Sequence, residues 1–138
     1  MVAVETPAMQ YPSTKPDYPI ASLTRQSHRA AFSGYWLTMS TEIVSVNGEV
    51  DATNAGALTE YVLGDVKGLQ GMILDLCGVS FMGIEGFPAL HRISVCCAAA
   101  GTQWAMVAGP AVSRVLAICD PEGVLPCTGT MKAAVTRI

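Results

Sequence analysis

Residues 72–101 of the chain, MILDLCGVSFMGIEGFPALHRISVCCAAAG, decide the fold. The stretch begins with an almost continuous apolar run over residues 72–76, which is typical of a strand that is covered on both faces. Its second half repeats apolar residues at helical spacing, which predicts the buried face of a helix. These residues are Leu90, Ile93, Cys97 and Ala100. Gly101 is suited to end the helix, because glycine adopts the left-handed conformation at little cost.

Pro88 marks the start of the same helix. Proline lacks an N–H group and is tolerated only in the first helical turn, so the N-cap is predicted near residues 85–87. Glu85 then carries its carboxylate to the end of the helix that has free N–H groups and a positive dipole. We expect the function to depend on the residues at this N-terminal end of the helix.

The composition restricts the class of protein. The chain has 138 residues, of which 51% are hydrophobic and 14% charged, and its net charge is −3. A single domain fits this length, and the absence of a basic cluster argues against nucleic-acid binding. No apolar run reaches the ~18–20 residues that cross a bilayer, so membrane insertion is not expected. The first residues do not resemble a signal peptide, which predicts a cytoplasmic protein whose five cysteines are reduced thiols.

Residues 1–30 differ from the rest of the chain. They contain four of the eight prolines among polar residues without a sustained period. This pattern predicts a flexible N-terminal extension over residues 1–30, followed by one domain over residues 31–138.

Strand and helix patterns alternate along residues 31–138. Two neighbouring strands are predicted before Asp51, a helix follows, and later strands include residues 104–108 and 124–125. Thr128 or Thr130 is expected to cap a short last helix. The pattern predicts an α/β fold, with a small, mostly parallel mixed sheet of four to five strands packed with about four helices.

Two short segments are candidates for a binding site. Residues 48–51 (GEVD) and residues 82–86 (MGIEG) each follow a predicted strand and precede a helix. Binding surfaces of open α/β sheets usually form at this edge. If the two strands are neighbours, Asp51 and Glu85 share one rim. Both carboxylates are also explained by stabilisation at helix N-termini, a reading that does not exclude a binding role.

Signals of catalysis are weak. The chain has no nucleotide-binding glycine motif, no zinc-protease motif and no nucleophile elbow. His28 lies in the predicted extension, and His91 is interpreted as a residue at the solvent edge or one that supports a neighbouring side chain. Cys96 and Cys97 are adjacent, so they point about 100° apart and cannot chelate one metal. We therefore predict a protein that is not an enzyme and that needs no metal and no cofactor.

Four short motifs follow one another along the chain: VNGEVD at residues 46–51, ILDLCGVSF at residues 73–81, GFPAL at residues 86–90 and the Gly-Pro pair at residues 109–110. In this order they resemble the STAS domain of bacterial anti-sigma factor antagonists. The first is similar to the family's G-E-(L/V)-D, and the second is similar to its central strand and turn. The resemblance implies binding to a kinase-like anti-sigma factor, with homodimerisation left open. It places the partner contacts at Asp51, Met82, Gly83, Ile84, Glu85 and Gly86.

The chain departs from the family at one position. The resemblance implies that family members usually have Asp-Ser-Ser-Gly in the loop before this helix, and that the partner kinase phosphorylates the second serine. Glu85 occupies that position here, and a carboxylate has no hydroxyl to accept a phosphoryl group. Two consequences stay open: Glu85 acts as a permanent block, or it pairs with a basic residue of the partner. We favour an antagonist that is not controlled by phosphorylation at this position.

Two further hypotheses are kept. Cys77, Cys96 and Cys97 could couple thiol oxidation to partner binding in place of phosphorylation. The alternative function is that of a STAS subunit in another assembly, such as a stress-signalling complex or a lipid-transport ATPase.

Overall fold

The computed structural model describes residues 21–138, except residues 65 and 67. This part of the chain contains six strands and four helices. The strands are β1 (Ala21–Ser27), β2 (Ala30–Trp36), β3 (Thr41–Val50), β4 (Gly71–Met82), β5 (Gln103–Ala108) and β6 (Cys127–Thr128). The helices are α1 (Ala55–Leu63), α2 (Gly86–Ala100), α3 (Pro110–Cys119) and α4 (Met131–Arg137).

The six strands form one mixed sheet in the order β1-β2-β3-β4-β5-β6. The first three pair antiparallel, and the pairs β3–β4, β4–β5 and β5–β6 are parallel. A parallel pair needs a crossover connection, which α1, α2 and α3 supply in turn. The predicted α/β class is confirmed, with six strands in place of four to five.

β4 lies at the centre of the core, as its apolar run predicts. Successive side chains of a strand point to opposite faces of the sheet, so Leu74 joins the larger core cluster while Ile73 joins a smaller one. The larger cluster lies under α1, α2 and α3. The smaller one lies under α4 and includes Ala134. Both Ile73 and Leu74 are fully buried, as expected of a strand with helices on both faces.

The N-terminal boundary of the domain lies earlier than predicted. β1 and the start of β2 fall within the segment that the sequence assigns to a flexible extension, so the folded domain includes residues from Ala21 onward. The two strands join at a tight turn in which His28 has φ 56°. Arg25 and Gln26 are adjacent in β1 and both are exposed, and β1 is held to the sheet by backbone pairing with β2. Residues 1–20 lie outside the described part, where the prediction stays a prediction.

The predicted strand at residues 124–125 is wrong. Asp120 accepts hydrogen bonds from the amides of Val124 and Leu125, both at 2.9 Å, and so folds this segment into a loop. The last strand is instead β6. The predicted cap of the last helix is confirmed, because the Thr130 hydroxyl accepts a 3.1 Å hydrogen bond from the Ala133 amide.

Candidate functional site

The ends of β3 and β4 bring the two candidate segments together. The strands are parallel neighbours, with Val50 opposite Met82, and the Gly83 amide donates to the Val50 carbonyl at 2.8 Å. A Cβ atom added to Gly83 would lie 3.8 Å from Asp51 Cα and would overlap Glu85 Oε1. Asp51 and Glu85 therefore flank Gly83 on one rim, as the sequence predicts for neighbouring strands. We call residues 48–54 and 80–86 the tip.

Two irregularities in the β3–β4 pairing shape the end of β4. The register shifts between Ser45 and Asn47 and again between Gly48 and Glu49. Each extra residue in β4 reverses the alternation of its side chains. Because the two reversals cancel, Met82 again faces the larger core cluster together with Leu74, and Phe81 points to the opposite face, where it is 51% exposed. The sequence analysis did not assign this residue to the site.

A tight turn connects β4 to α2. The Gly86 amide donates to the Gly83 carbonyl at 2.9 Å, and the Phe87 amide donates to the Ile84 carbonyl at 3.1 Å. Glu85 is the N-cap residue of α2, within the predicted range, but its side chain makes no capping hydrogen bond. The turn therefore presents an exposed carboxylate beside Ile84, whose side chain is 64% exposed.

Asp51 has a different environment. Its Oδ1 accepts hydrogen bonds from the Thr53 amide at 2.9 Å and from the Thr53 hydroxyl, and its Oδ2 lies 3.3 Å from the Arg29 guanidinium. The hydrogen bonds from Thr53, followed by the charge of Arg29, hold the pKa of Asp51 below its ordinary value. This carboxylate is therefore ionised at neutral pH and already has partners within the chain.

The turn between β1 and β2 is part of the same rim, which the sequence did not predict. Arg29 pairs with Glu49 at 3.0 Å as well as with Asp51. The buried Asn54 amide group donates to the carbonyls of Ser27, at 3.1 Å, and Glu49, at 2.8 Å, and its oxygen accepts from the Asp51 amide at 3.0 Å. The Asn54 side chain therefore joins the hairpin turn to the loop before α1.

The three cysteines of the redox hypothesis lie in different environments. Cys77 is exposed, Cys96 is half-buried and Cys97 is buried, and the described cysteines form no disulfide. Burial and the neighbouring Cys96 raise the pKa of Cys97 to about 11, and desolvation together with Asp75 raises the pKa of Cys77. A raised pKa lowers the fraction of thiolate, which is the reactive form. The surroundings of Cys77 and Cys97 therefore do not favour the reactive thiolate. The redox role stays a prediction.

The described residues contain no group of three or more His, Cys, Asp or Glu side chains that could hold a metal ion. None of their helices is long and apolar enough to cross a membrane.

The chain is similar in sequence to one curated protein and in structure to solved anti-sigma factor antagonists. Osmosensory protein A of Mycobacterium tuberculosis is 40% identical over 74 residues, which are 54% of this chain and 47% of that protein. The chain thus aligns with about half the length of this curated relative. The crystal structure of an anti-sigma factor antagonist from Mycobacterium paratuberculosis is similar with a TM-score of 0.63 and 24% identity, covering 89% of this chain and 96% of that one.

A second solved structure supports the same fold. SpoIIAA, an anti-sigma factor antagonist determined in its unphosphorylated form, matches with a TM-score of 0.63 and 16% identity, covering 77% of this chain and 94% of that one. The family profile of the STAS domain matches residues 38–134, which is more than half of the chain. Together with the observed sheet order and the tip between β3 and β4, these matches show that the chain belongs to the STAS domain family.

Proposed function

We propose that this protein is an anti-sigma factor antagonist that binds a kinase-like anti-sigma factor in the cytoplasm through its tip and thereby releases a sigma factor. It acts by binding and not by turnover. Phosphorylation at the family's usual position does not control it, because that position is Glu85. The observation that carries the proposal is the exposed Glu85 carboxylate, which has no hydrogen-bond or ion-pair partner among the described residues.

The contrast with Asp51 supports a role for Glu85 in binding. Asp51 has Thr53 and Arg29 as partners, so little of its charge is available to another protein. Glu85 lies on the same rim and lacks such partners. A basic residue of the partner would therefore find Glu85 accessible without having to break an internal ion pair. A charge pair of this kind favours the matching partner over others.

Exposed apolar side chains support the same surface. Phe81 and Ile84 are 51% and 64% exposed and lie on the two sides of Gly83 in the sequence of the tip. Large apolar side chains grouped beside a charged rim are typical of protein–protein contact surfaces. The tip therefore combines one available carboxylate with apolar contact area.

The two side-chain hydroxyls of the tip, those of Thr53 and Ser80, are already engaged, and the Thr53 hydroxyl donates to Asp51. The Ser80 hydroxyl donates to the Gly48 carbonyl at 3.3 Å. Ser80 also lies five residues before Glu85, away from the family's phosphorylated position. We expect no phosphoryl transfer to the tip by the bound anti-sigma factor. Incubation with that protein and ATP, followed by mass spectrometry, tests this: a phosphoryl group on Ser80 would contradict the proposal.

The main test is calorimetric titration of the wild type and the Glu85→Ser variant with each purified anti-sigma factor of the host. We expect the wild type to bind one of them with a Kd between nanomolar and micromolar, and Glu85→Ser to bind about tenfold or more weakly. Glu122→Ser is the matched control, because Glu122 is exposed in the loop after α3 and lies outside the tip. It should bind like the wild type.

Two results would overturn the proposal in different ways. Binding that appears only in Glu85→Ser would identify Glu85 as a permanent block that mimics a phosphoserine. No binding by either protein would favour the alternative, a STAS subunit of a stress-signalling complex or of a lipid-transport ATPase.

A further inference from the structure

An open groove of about 610 Å³ runs between α1 and α2, beside the tip. Its floor is made of small buried residues, Ala55 and Ala89. Thr59 also lines the floor, and its hydroxyl already donates to the Ala55 carbonyl at 3.1 Å. The floor thus offers apolar contact and leaves no free hydroxyl.

Gly56 lines the α1 side of this groove and has no side chain to fill it. Glycine weakens a helix interior, and here neither conformation nor packing requires it. Its backbone is not among the left-handed glycines of the described residues, and a Cβ atom added to it would meet nothing within 4 Å. The consequence of the missing side chain is therefore the open groove itself.

The opposite wall carries two opposite charges. Glu85 and Arg92 both line the groove, and neither has a hydrogen-bond or ion-pair partner among the described residues. Arg92 lies on α2 seven residues after Glu85, the N-cap residue, which places the two residues two turns, or about 10 Å, apart along the helix axis. Glu60 on the α1 side has a partner within the chain, because it lies 3.6 Å from Arg25. The charge available in the groove is thus a carboxylate near the tip and a guanidinium two turns further along.

We propose that this groove receives a helix of the anti-sigma factor, an inference that rests on the function proposed above. The helix carries a basic residue that pairs with Glu85 and an acidic residue, two turns away, that pairs with Arg92. An apolar side chain between them fills the space above Ala89 and Gly56. An amphipathic helix laid into a groove with anchors on one face is a common mode of recognition. The groove extends the contact surface from the tip along the length of α2.

The test uses the full chain and the anti-sigma factors of the titration described above. Gly56→Leu fills the groove, and Arg92→Glu reverses the second charge. Each should raise the Kd about tenfold or more, because the first excludes the helix and the second places like charges together. Ala98→Leu is the matched control: Ala98 is exposed on α2 and does not line the groove, so the Kd should not change.

Thermal unfolding of each variant separates loss of the groove from loss of the fold. We expect Gly56→Leu to be at least as stable as the wild type, since leucine favours a helix more than glycine does. If Gly56→Leu does not fold, Arg92→Glu and the smaller change Gly56→Ala carry the test.

The possible failures are distinguishable. An anti-sigma factor that binds the wild type, Gly56→Leu and Arg92→Glu equally would overturn the groove and leave the proposed function in place. A wild-type protein that binds no anti-sigma factor would overturn both. Sedimentation of the wild type as a dimer that Gly56→Leu dissociates would assign the groove to a second copy of this chain and would also overturn the inference.

Discussion

The two carboxylates of the tip are alike in sequence and different in structure. Asp51 and Glu85 each follow a strand and precede a helix, and each lies beside Gly83. Asp51 is held by Thr53 and Arg29, whereas the Glu85 side chain makes no capping hydrogen bond. The Asp51 carboxylate is therefore held in place by contacts within the chain, whereas the Glu85 carboxylate is exposed to solvent. The position of an acidic residue before a helix therefore does not distinguish a structural role from a binding role. The hydrogen bonds and ion pairs of its carboxylate make that distinction.

The largest loss of stability is expected at Gly48, on the Asp51 side of the tip, because the backbone leaves no space there for a side chain. Gly48 has φ 109°, and a Cβ atom there would overlap the Arg29 carbonyl oxygen, which belongs to the backbone and cannot move away. Gly48→Ala should lower the free energy of unfolding by about 3 kcal/mol in urea denaturation. Gly86→Ala is the matched change on the other side, where the Cβ atom would lie 2.7 Å from Met82 Cγ. A methionine side chain adapts, so a loss of about 1 kcal/mol or less is expected. Equal losses would show that both sides are equally fixed.

A smaller effect is expected from the link between the hairpin turn and the rim. Asn54→Ala removes three hydrogen bonds and leaves the carbonyls of Ser27 and Glu49 without that donor. The free energy of unfolding should fall by about 2 kcal/mol, measured by urea denaturation. Gln103→Ala serves as the control, because Gln103 is exposed and lies away from the tip. If both variants lose equally little, then Asn54 does not hold the hairpin turn in place.

The smallest effect concerns the charges themselves. The pKa of Asp51 is lower in the folded state, so its ionised form adds stability above the unfolded pKa of about 3.9, and that stability is lost as the pH falls through the folded pKa. Asp51→Asn should therefore have a lower Tm than the wild type at pH 7, and the difference should shrink below about pH 4. Glu85→Gln, the matched change, should leave stability within about 0.5 kcal/mol at pH 7. A Tm that falls as much for Glu85→Gln as for Asp51→Asn would give both carboxylates a structural role.

Much of the fold could be predicted from the sequence, because its central elements follow simple periodicities. The apolar run of β4, the helical spacing in α2 and the stop at Gly101, where φ is 73°, all depend on local patterns. The neighbourhood of Asp51 and Glu85 followed from the rule that parallel strands end at the same edge. These features need no knowledge of contacts that are distant in the sequence.

The parts that could not be predicted depend on such distant contacts. In β1 the adjacent side chains of Arg25 and Gln26 are both exposed, so this part of the strand has no apolar alternation to detect, and the strand is defined by its backbone pairing with β2. Phe81 lies on the same face of β4 as the buried Ile73 and is nevertheless exposed, and alternation alone does not show where along the strand that face is covered. Arg29 reaches Asp51, 22 residues away, only because the hairpin pairs in one register. The groove depends on a missing side chain at Gly56, which has no signature in a hydrophobicity pattern.

The N-terminal hairpin has one more consequence, which concerns association with other chains. β2 covers one edge of β3 along most of its length, from Trp36 opposite Glu42 to Ala30 opposite Gly48. The family match begins at residue 38, after both hairpin strands. A fragment cut there would leave β3 with a row of unpaired N–H and C=O groups, and such an open edge pairs readily with strands of other molecules. Within the described residues the edge strand on this side of the sheet is β1, whose charged Arg25 discourages that pairing. The hairpin that fixes the rim therefore also protects the sheet from aggregation.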